Sequence, residues 1–301
     1  MEDKPVERLT KCPLCKSGLF LNYTEIPDFA VSKERFILCK CTKCQLVFTN
    51  PRPTEKAIAP YYDFPEYYSH STKSKSLTAL IYSKVRKYSI KKKFKLIESL
   101  KTEKSILDIG CGTGEFLAYT KKNGWNVEGL EPNKNARKLA KENLQQKVHK
   151  NLIDLDLKKE FDIITLFHVL EHIHSLRKGF KKVLSHLKSD GYIILAIPNF
   201  ESEDANRYGK FWAGWDVPRH LYHFNEKSIN YLAEEFDLSI KEKKPMIFDS
   251  YYVSLLSEKY QNPNSNILSN YSKSFWTGLK SNQSGRKTGN YSSNLYILQK
   301  K

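Results

Sequence analysis

No apolar run in the 301-residue sequence approaches the length of a membrane-spanning helix. The opening residues, MEDKPVERLTKC, lack the apolar core of a secretory signal, and a cytoplasmic location is expected. Acidic residues are scarce beside basic ones: 33 Asp and Glu against 50 Lys and Arg leave a formal charge of +17. That balance favours an anionic partner: nucleic acid, a phosphorylated or nucleotide-linked substrate, or an anionic membrane surface. The lysines are dispersed rather than grouped with aromatics, so nothing beyond charge marks an RNA-binding surface, and the same lysines also serve solubility. The phosphate-loop ending Gly-Lys-Ser/Thr is missing, as is the dinucleotide fingerprint Gly-x-Gly-x-x-Gly. What is present, 40% apolar and 28% charged residues, suits one substantial soluble domain with a small appendage.

The chain is organised around residues 105–114, SILDIGCGTG. Ile106, Leu107 and Ile109 form an apolar run of the right length for a buried parallel strand. Gly110, Gly112 and Gly114 follow, and a helical pattern starts at Phe116. Only glycine lets backbone come so close to a ligand, and the strand–turn–helix context gives the three glycines their meaning. Asp108, at the strand's carboxyl end, can accept a hydrogen bond from an ammonium group. Residues 125–131 read as a second strand ending in Glu131, an acid about twenty residues past the glycines, where it reaches the ribose hydroxyls of a bound nucleoside. A third strand is expected over 147–155, a fourth over 161–167 and a fifth over 192–197, the last preceded by a turn at Ser189-Asp190-Gly191. Helices are expected over 78–100, 135–144, through Phe180 and Val183, over 228–236 and over 251–260. The lysines of the first, including Lys93, read as a solvated face. Strands at 238–244 and 294–298 supply an antiparallel end to the sheet. The Asn- and Ser-rich stretch 261–293 reads as a mobile loop.

Six cysteines include two C-x-x-C pairs, Cys12/Cys15 and Cys41/Cys44, in a chain with no export signal. Two such knuckles complete a closed tetrahedral Zn²⁺ site, and closed coordination is structural rather than catalytic. Cys39 is a spare that could replace Cys41. The stretch after the second pair holds Tyr61, Tyr62, Tyr67 and Tyr68 between prolines, and suits either a segment folding over a pocket or packing between modules.

The order D-x-G-x-G-x-G resembles the first motif of class I S-adenosylmethionine-dependent methyltransferases, and the resemblance runs from 105 to about 199 through Glu131, Asp154, FDIITLFHVLEHI and SDGYIILAIPN. With the N-terminal cysteines, N-P-R-P and PRHLYHF, the chain resembles a bacterial subgroup carrying a zinc ribbon and related to ubiquinone O-methyltransferases. The implied fold is α/β: a Rossmann-like doubly wound seven-stranded sheet with a zinc ribbon at 1–50, an aromatic linker and basic helix at 51–100, and a cofactor-binding domain at 101–301. The implied cofactor residues are Asp108, Gly110, Cys111, Gly112, Gly114, Glu131, Phe167 and Asp154, the last near the adenine amino group, with Asp156 as its alternative. The implied metal ligands are Cys12, Cys15, Cys41 and Cys44.

For a hydroxyl acceptor a base is needed, and His220, His168 and His172 are the candidates, with Glu171 to orient them. His220 lies in an insertion whose Trp212 and Trp215 suit an acceptor pocket, expected to cover the crevice on the side opposite the ribbon. His168-x-x-Glu171-His172 matches the H-x-x-E-H of inverted zinc peptidases, but it follows a buried strand instead of lying within a helix. It is also similar to the E-x-x-E-H and later His with which small-RNA 2′-O-methyltransferases hold a divalent metal; His168 in place of a carboxylate weakens the case for Mg²⁺ but not for a softer metal. The acceptor expected is a small hydroxylated metabolite, anionic or lipid-linked; RNA held by the ribbon and the basic surface is the alternative.

Overall fold

A computed structural model describes residues 5–62, 77–100, 103–157 and 159–301, with side chains from 83 onward in the helix that begins at 77. Tyr67 and Tyr68 lie outside these residues. The N-terminal module holds β1 (Val6–Glu7), β2 (Phe20–Pro27), β3 (Arg35–Cys41), β4 (Val47–Thr49) and β5 (Arg52–Pro53). The helix Leu77–Leu100 then leads to β6 (Ser105–Ile109), β7 (Asn126–Leu130), β8 (Phe161–Phe167) and β9 (Leu187–Pro198). These four strands are parallel. After the insertion, which contains β10 (Tyr222–His223), β11 (Leu238–Pro245) and β12 (Ser293–Lys300) complete the sheet as antiparallel neighbours. Its order is β11-β12-β9-β8-β6-β7.

The sheet is buried on both faces because its strands alternate between two cores. Ile106 and Ile163 face one core with Leu117, Ala140 and Ile97; Leu107 and Ile164 face the other with Phe180 and Val183. Alternation of apolar residues on both sides is what a parallel sheet sandwiched by helices requires.

Three expectations about the sheet and its connections are corrected. The sheet has six strands among the described residues, not seven: the stretch 147–155 contributes a single bridge, His149 to Leu130. Asn151 diverts it, its side chain accepting from the Ile153 amide and donating to Asp154, a local turn that competes with strand pairing. The expected turn at 189–191 lies inside β9 as a bulge: Leu187 pairs with Phe161 and Tyr192 with Ile163, so four residues stand against one, with Lys188 on Asp162 and the Gln299 side-chain amide on the Asp190 carbonyl. The stretch read as a mobile loop is the helix Ile267–Thr288, capped by Asn266 and ended by Gly289 at φ +78°.

The insertion does not lie opposite the ribbon but is woven into it. Strand β10 pairs with β4, giving a four-stranded sheet of order β10-β4-β3-β2. Leu14, Leu46 and Phe48 of the ribbon share one core with Leu170, Leu221 and Phe224. Trp212 and Trp215 fill a second shared core with Ile26, Phe36 and Val47, rather than walling an open pocket.

Candidate functional site

The loop after β6 turns through Gly110, Gly112 and Gly114 at φ +74°, +56° and +76°, a region that side-chain-bearing residues rarely adopt. A Cβ on Gly110 would stand 2.4 Å from Val169 Cγ2, whereas one on Gly112 would project into open space. Gly112 therefore borders the crevice. Glu131 braces the loop from the end of β7: one carboxylate oxygen accepts the Gly112 amide at 2.9 Å, the other the Asn133 amide at 2.8 Å. Each oxygen keeps room for a second donor. Burial raises the Glu131 pKa, partly offset by those two amides. Asp108 is buried one strand away, where burial pushes its pKa up to about 6 against the Thr165 hydroxyl, which donates to it at 2.6 Å, and the charge of Lys93.

Lys93 is a further correction. Instead of facing solvent it turns inward, its ammonium 3.7 Å from the centre of the Phe167 ring at the end of β8. Burial lowers its pKa, and the charges of Asp108 and Asp249 hold it up. Cys111 packs against Gly129 beneath the loop, and burial raises its thiol. Asp154 lies on the exposed turn described above, bonded to Asn151. Glu131 thus meets the glycine loop at Gly112, and Lys93 links Asp108 with Phe167; the Cys111 thiol packs toward Gly129, and the Asp154 carboxylate bonds Asn151.

Beyond Phe167 stands the histidine group. His168, at φ +57°, holds Asp249 through Nε2 at 3.1 Å and faces Glu171 through Nδ1 at 3.7 Å. Burial opposes its charge, but the two carboxylates prevail and raise its pKa to about 10. His168 is therefore an imidazolium near neutral pH, not a base. His172 is the opposite case: burial and the neighbouring His220 lower its pKa to about 4, against Glu171 and Asp216.

The tautomers of the other two follow from their partners. His172 Nδ1 lies 3.0 Å from the Arg219 carbonyl, and His220 Nδ1 lies 2.9 Å from the Gly214 carbonyl. A carbonyl only accepts, so each Nδ1 carries the proton and each Nε2 of a neutral ring presents a bare lone pair. The rings meet edge to face at 4.7 Å. Glu171, 1% exposed, has neither carboxylate oxygen hydrogen-bonded. One ligand atom each from Glu171, His172 and His220 lie within 4.8 Å of one another.

The ribbon holds this group in position. Arg219, fully buried, bonds Asp28 of the β2–β3 turn at 2.9 Å and Asp216 at 2.8 Å, and donates to the Tyr61 carbonyl. The Thr49 hydroxyl donates to the His220 carbonyl, and the Tyr62 hydroxyl lies 3.1 Å from His172 Nδ1. Lys93, Asp249 and Asp28 carried no signal in sequence, because each acts through a contact distant along the chain. In the ribbon itself, the sulfurs of Cys12, Cys15, Cys41 and Cys44 also lie within 4.8 Å of one another. Cys39 is turned toward Asn22 and Asn50, outside that tetrad.

A methyltransferase-domain family model matches residues 82–243, more than half of the chain. The chain is similar to a ubiquinone biosynthesis O-methyltransferase of Rickettsia felis, 26% identical over 158 residues that cover 48% of this chain and 64% of that protein. It is also similar to an uncharacterized methyltransferase of Alkaliphilus oremlandii, 31% identical over 105 residues, covering 34% of this chain and 49% of the relative. The match thus spans less than two thirds of the length of these curated relatives. Among solved structures, magnesium protoporphyrin IX methyltransferase from Synechocystis with bound SAH superposes with a TM-score of 0.53 at 12% identity, covering 82% of this chain and all of the other. At that identity the likeness is one of fold.

Proposed function

The chain belongs to this methyltransferase family, within the class I S-adenosylmethionine-dependent methyltransferases, and on that premise we propose that it O-methylates a small hydroxylated metabolite, sugar or lipid-linked intermediate. The crevice suits the cofactor: Gly112 leaves space beside the loop, Glu131 keeps acceptor capacity for two ribose hydroxyls, and Asp108 can meet an ammonium group. When bound, the cofactor supplies an activated methyl group on a sulfonium. The chain's own task is to exclude water, aim the acceptor and take its proton.

The observation that carries the oxygen-directed reading is the trio of buried Glu171 with half-buried His172 and His220. Deprotonating a hydroxyl requires an available lone pair, and His220 Nε2 supplies one in the neutral ring, its Nδ1 tied to Gly214 and the Asp216 carboxylate 3.9 Å from Nε2. In this reading His220 takes the proton, Glu171 offsets the resulting charge, and His172 keeps the ring oriented. The Cys12, Cys15, Cys41 and Cys44 thiolates would hold one structural zinc.

A second reading is favoured by Glu171, whose two oxygens are buried without a hydrogen bond, the His168 ring standing 3.7 Å from one of them. One carboxylate and two imidazoles form a donor set suited to a divalent transition metal rather than Mg²⁺. Held by these residues, a cation would polarise the acceptor hydroxyl as a Lewis acid.

His220→Ala tests both. Turnover on a panel of hydroxylated acceptors is expected to fall roughly 10²–10⁴-fold, with cofactor affinity by calorimetry unchanged. Native mass spectrometry separates the readings: one metal ion per wild-type chain supports the base, and two, falling to one in the variant, support the cation. Normal turnover by His220→Ala removes both roles.

A further inference from the structure

The helix Ile267–Thr288 is patterned inside out. Its buried positions include Asn270, Ser274, Thr277, Gly278, Ser281 and Gly285, all small or polar. Its solvent-facing side chains include Ile267, Leu268, Tyr271, Phe275 and Trp276, between 43 and 76% exposed. The hydrophobic effect alone favours the reverse. The inner face has a packing reason. It lies against the helix Asp249–Gln261, which offers Ser250, Ser254 and Ser257, and small residues let the two backbones approach closely. A Cβ on Gly278 would come within 2.6 Å of the Tyr251 ring.

The outer face has no partner among the described residues to explain it. Phe275 stacks on Tyr251 at 5.6 Å and meets Trp276 edge-on at 5.9 Å, making an aromatic shelf. The same helix carries Lys273, Lys280, Arg286 and Lys287 and no acidic residue, in a chain of net charge +17. Exposed aromatics and aliphatics beside basic side chains, with no carboxylate, are complementary to a lipid surface with anionic headgroups.

We propose that the outer face of the helix Ile267–Thr288 is a membrane-surface contact that docks on bilayers carrying anionic lipid. The apolar side chains enter the boundary between headgroups and acyl chains, and the lysines meet the headgroup charge. A second copy of the chain is the poorer occupant, since pairing this face with itself sets lysines against lysines with no carboxylate from the helix to meet them. No helix of the described residues is long and apolar enough to cross a membrane, so the contact is peripheral. The helix Asp249–Gln261 beneath it meets the insertion and the histidine group: Ser257 accepts the Ala213 amide, Tyr208 donates to Glu258, and Asp249 holds His168. The membrane contact itself does not depend on the methyl-transfer reading, because it is measured without turnover.

Trp276 is a built-in reporter, since Trp125, Trp212 and Trp215 are buried. The full chain is mixed with vesicles of phosphatidylcholine alone, or of phosphatidylcholine with phosphatidylglycerol, and followed by sedimentation and by quenching from brominated acyl chains. The wild type is expected to sediment with the anionic vesicles, its Trp276 emission quenched. Phe275→Ser/Trp276→Ser should partition about tenfold or more weakly at unchanged melting temperature. Lys273→Glu/Lys280→Glu should bind anionic vesicles less well, and added salt should weaken the wild type. The proposal is overturned if the wild type ignores anionic vesicles, if Phe275→Ser/Trp276→Ser binds as the wild type does, or if this face instead makes a lipid-free dimer that the substitution abolishes.

Discussion

Asp108, the three glycines and Glu131 come from one strand–loop–helix–strand unit, held by bonds such as Gly112 to Glu131 across nineteen residues. The histidine side has no such unit. Glu171 and His172 follow β8, Asp216 to His220 belong to the insertion, Asp28 and Tyr62 lie near the N-terminus, and the Arg219–Asp28 bond spans 191 residues. The proposed cofactor side is thus preorganised locally. The histidine side is conditional on a buried ion network in which Arg219 joins ribbon to insertion. Burying that cation is tolerable only while Asp28 and Asp216 surround it, so losing the ribbon leaves the Arg219 charge beside His220 with Asp216 alone.

The largest expected effect therefore comes from dismantling the ribbon. In Cys41→Ser/Cys44→Ser, or after chelation, amide hydrogen exchange over 217–224 should accelerate by a factor of about a hundred or more, the scale of breaking a buried ion pair. Residues 105–131 should keep their protection. Loosening confined to the first fifty or so residues would mean that the ribbon is a detachable appendage and the two sides are equally independent. Asp28→Asn is the gentler version, sparing the thiolates and β10; it should loosen 217–224 less.

Glu131→Ala probes the other side. On the proposed role, in which its carboxylate accepts two hydroxyls, the loss should cost about 1.5–3 kcal/mol of cofactor binding, roughly ten- to more than a hundredfold in affinity. The structure adds a second consequence, because the Gly112 and Asn133 amides lose their acceptor. Stability should fall as well, and calorimetry on the folded fraction separates the two effects. A lower melting temperature with unchanged affinity would make Glu131 a brace for the loop and nothing more.

The same contrast decides what could be read from sequence. Strands β6 to β9 announce themselves by apolar runs, and the glycine loop by its spacing, because each depends on neighbours a few residues away. His172 and His220 were named from residue type, but their bare Nε2 atoms follow from carbonyls of Arg219 and Gly214 that no pattern reveals. Lys93 looked like one of many surface lysines until folding set it over Phe167. The helix Ile267–Thr288 escaped notice for a different reason: its buried face is serine, asparagine and glycine, so a search for apolar periodicity finds nothing where the packing occurs.

The smallest expected effect concerns Asp108 and sharpens the cofactor side. Burial lifts its folded pKa to about 6, above its ordinary value of 3.8. A carboxyl raised in this way stabilises the fold fully below the unfolded pKa, and that contribution is lost as pH rises through 6. Above pH 6 the fold therefore carries an ionised carboxylate held by Thr165 and Lys93. An incoming ammonium group would bind that ionised form, so cofactor affinity should rise between pH 5 and pH 7.5, by up to about tenfold for a group titrating near 6. In Asp108→Asn the side chain still accepts from Thr165 but cannot ionise; affinity should be lower at pH 7.5 and flat across the range. Calorimetry at both pH values on both proteins is the check. Parallel pH slopes in wild type and variant would take the ammonium contact away from Asp108 and leave it a support for Thr165 beneath the loop.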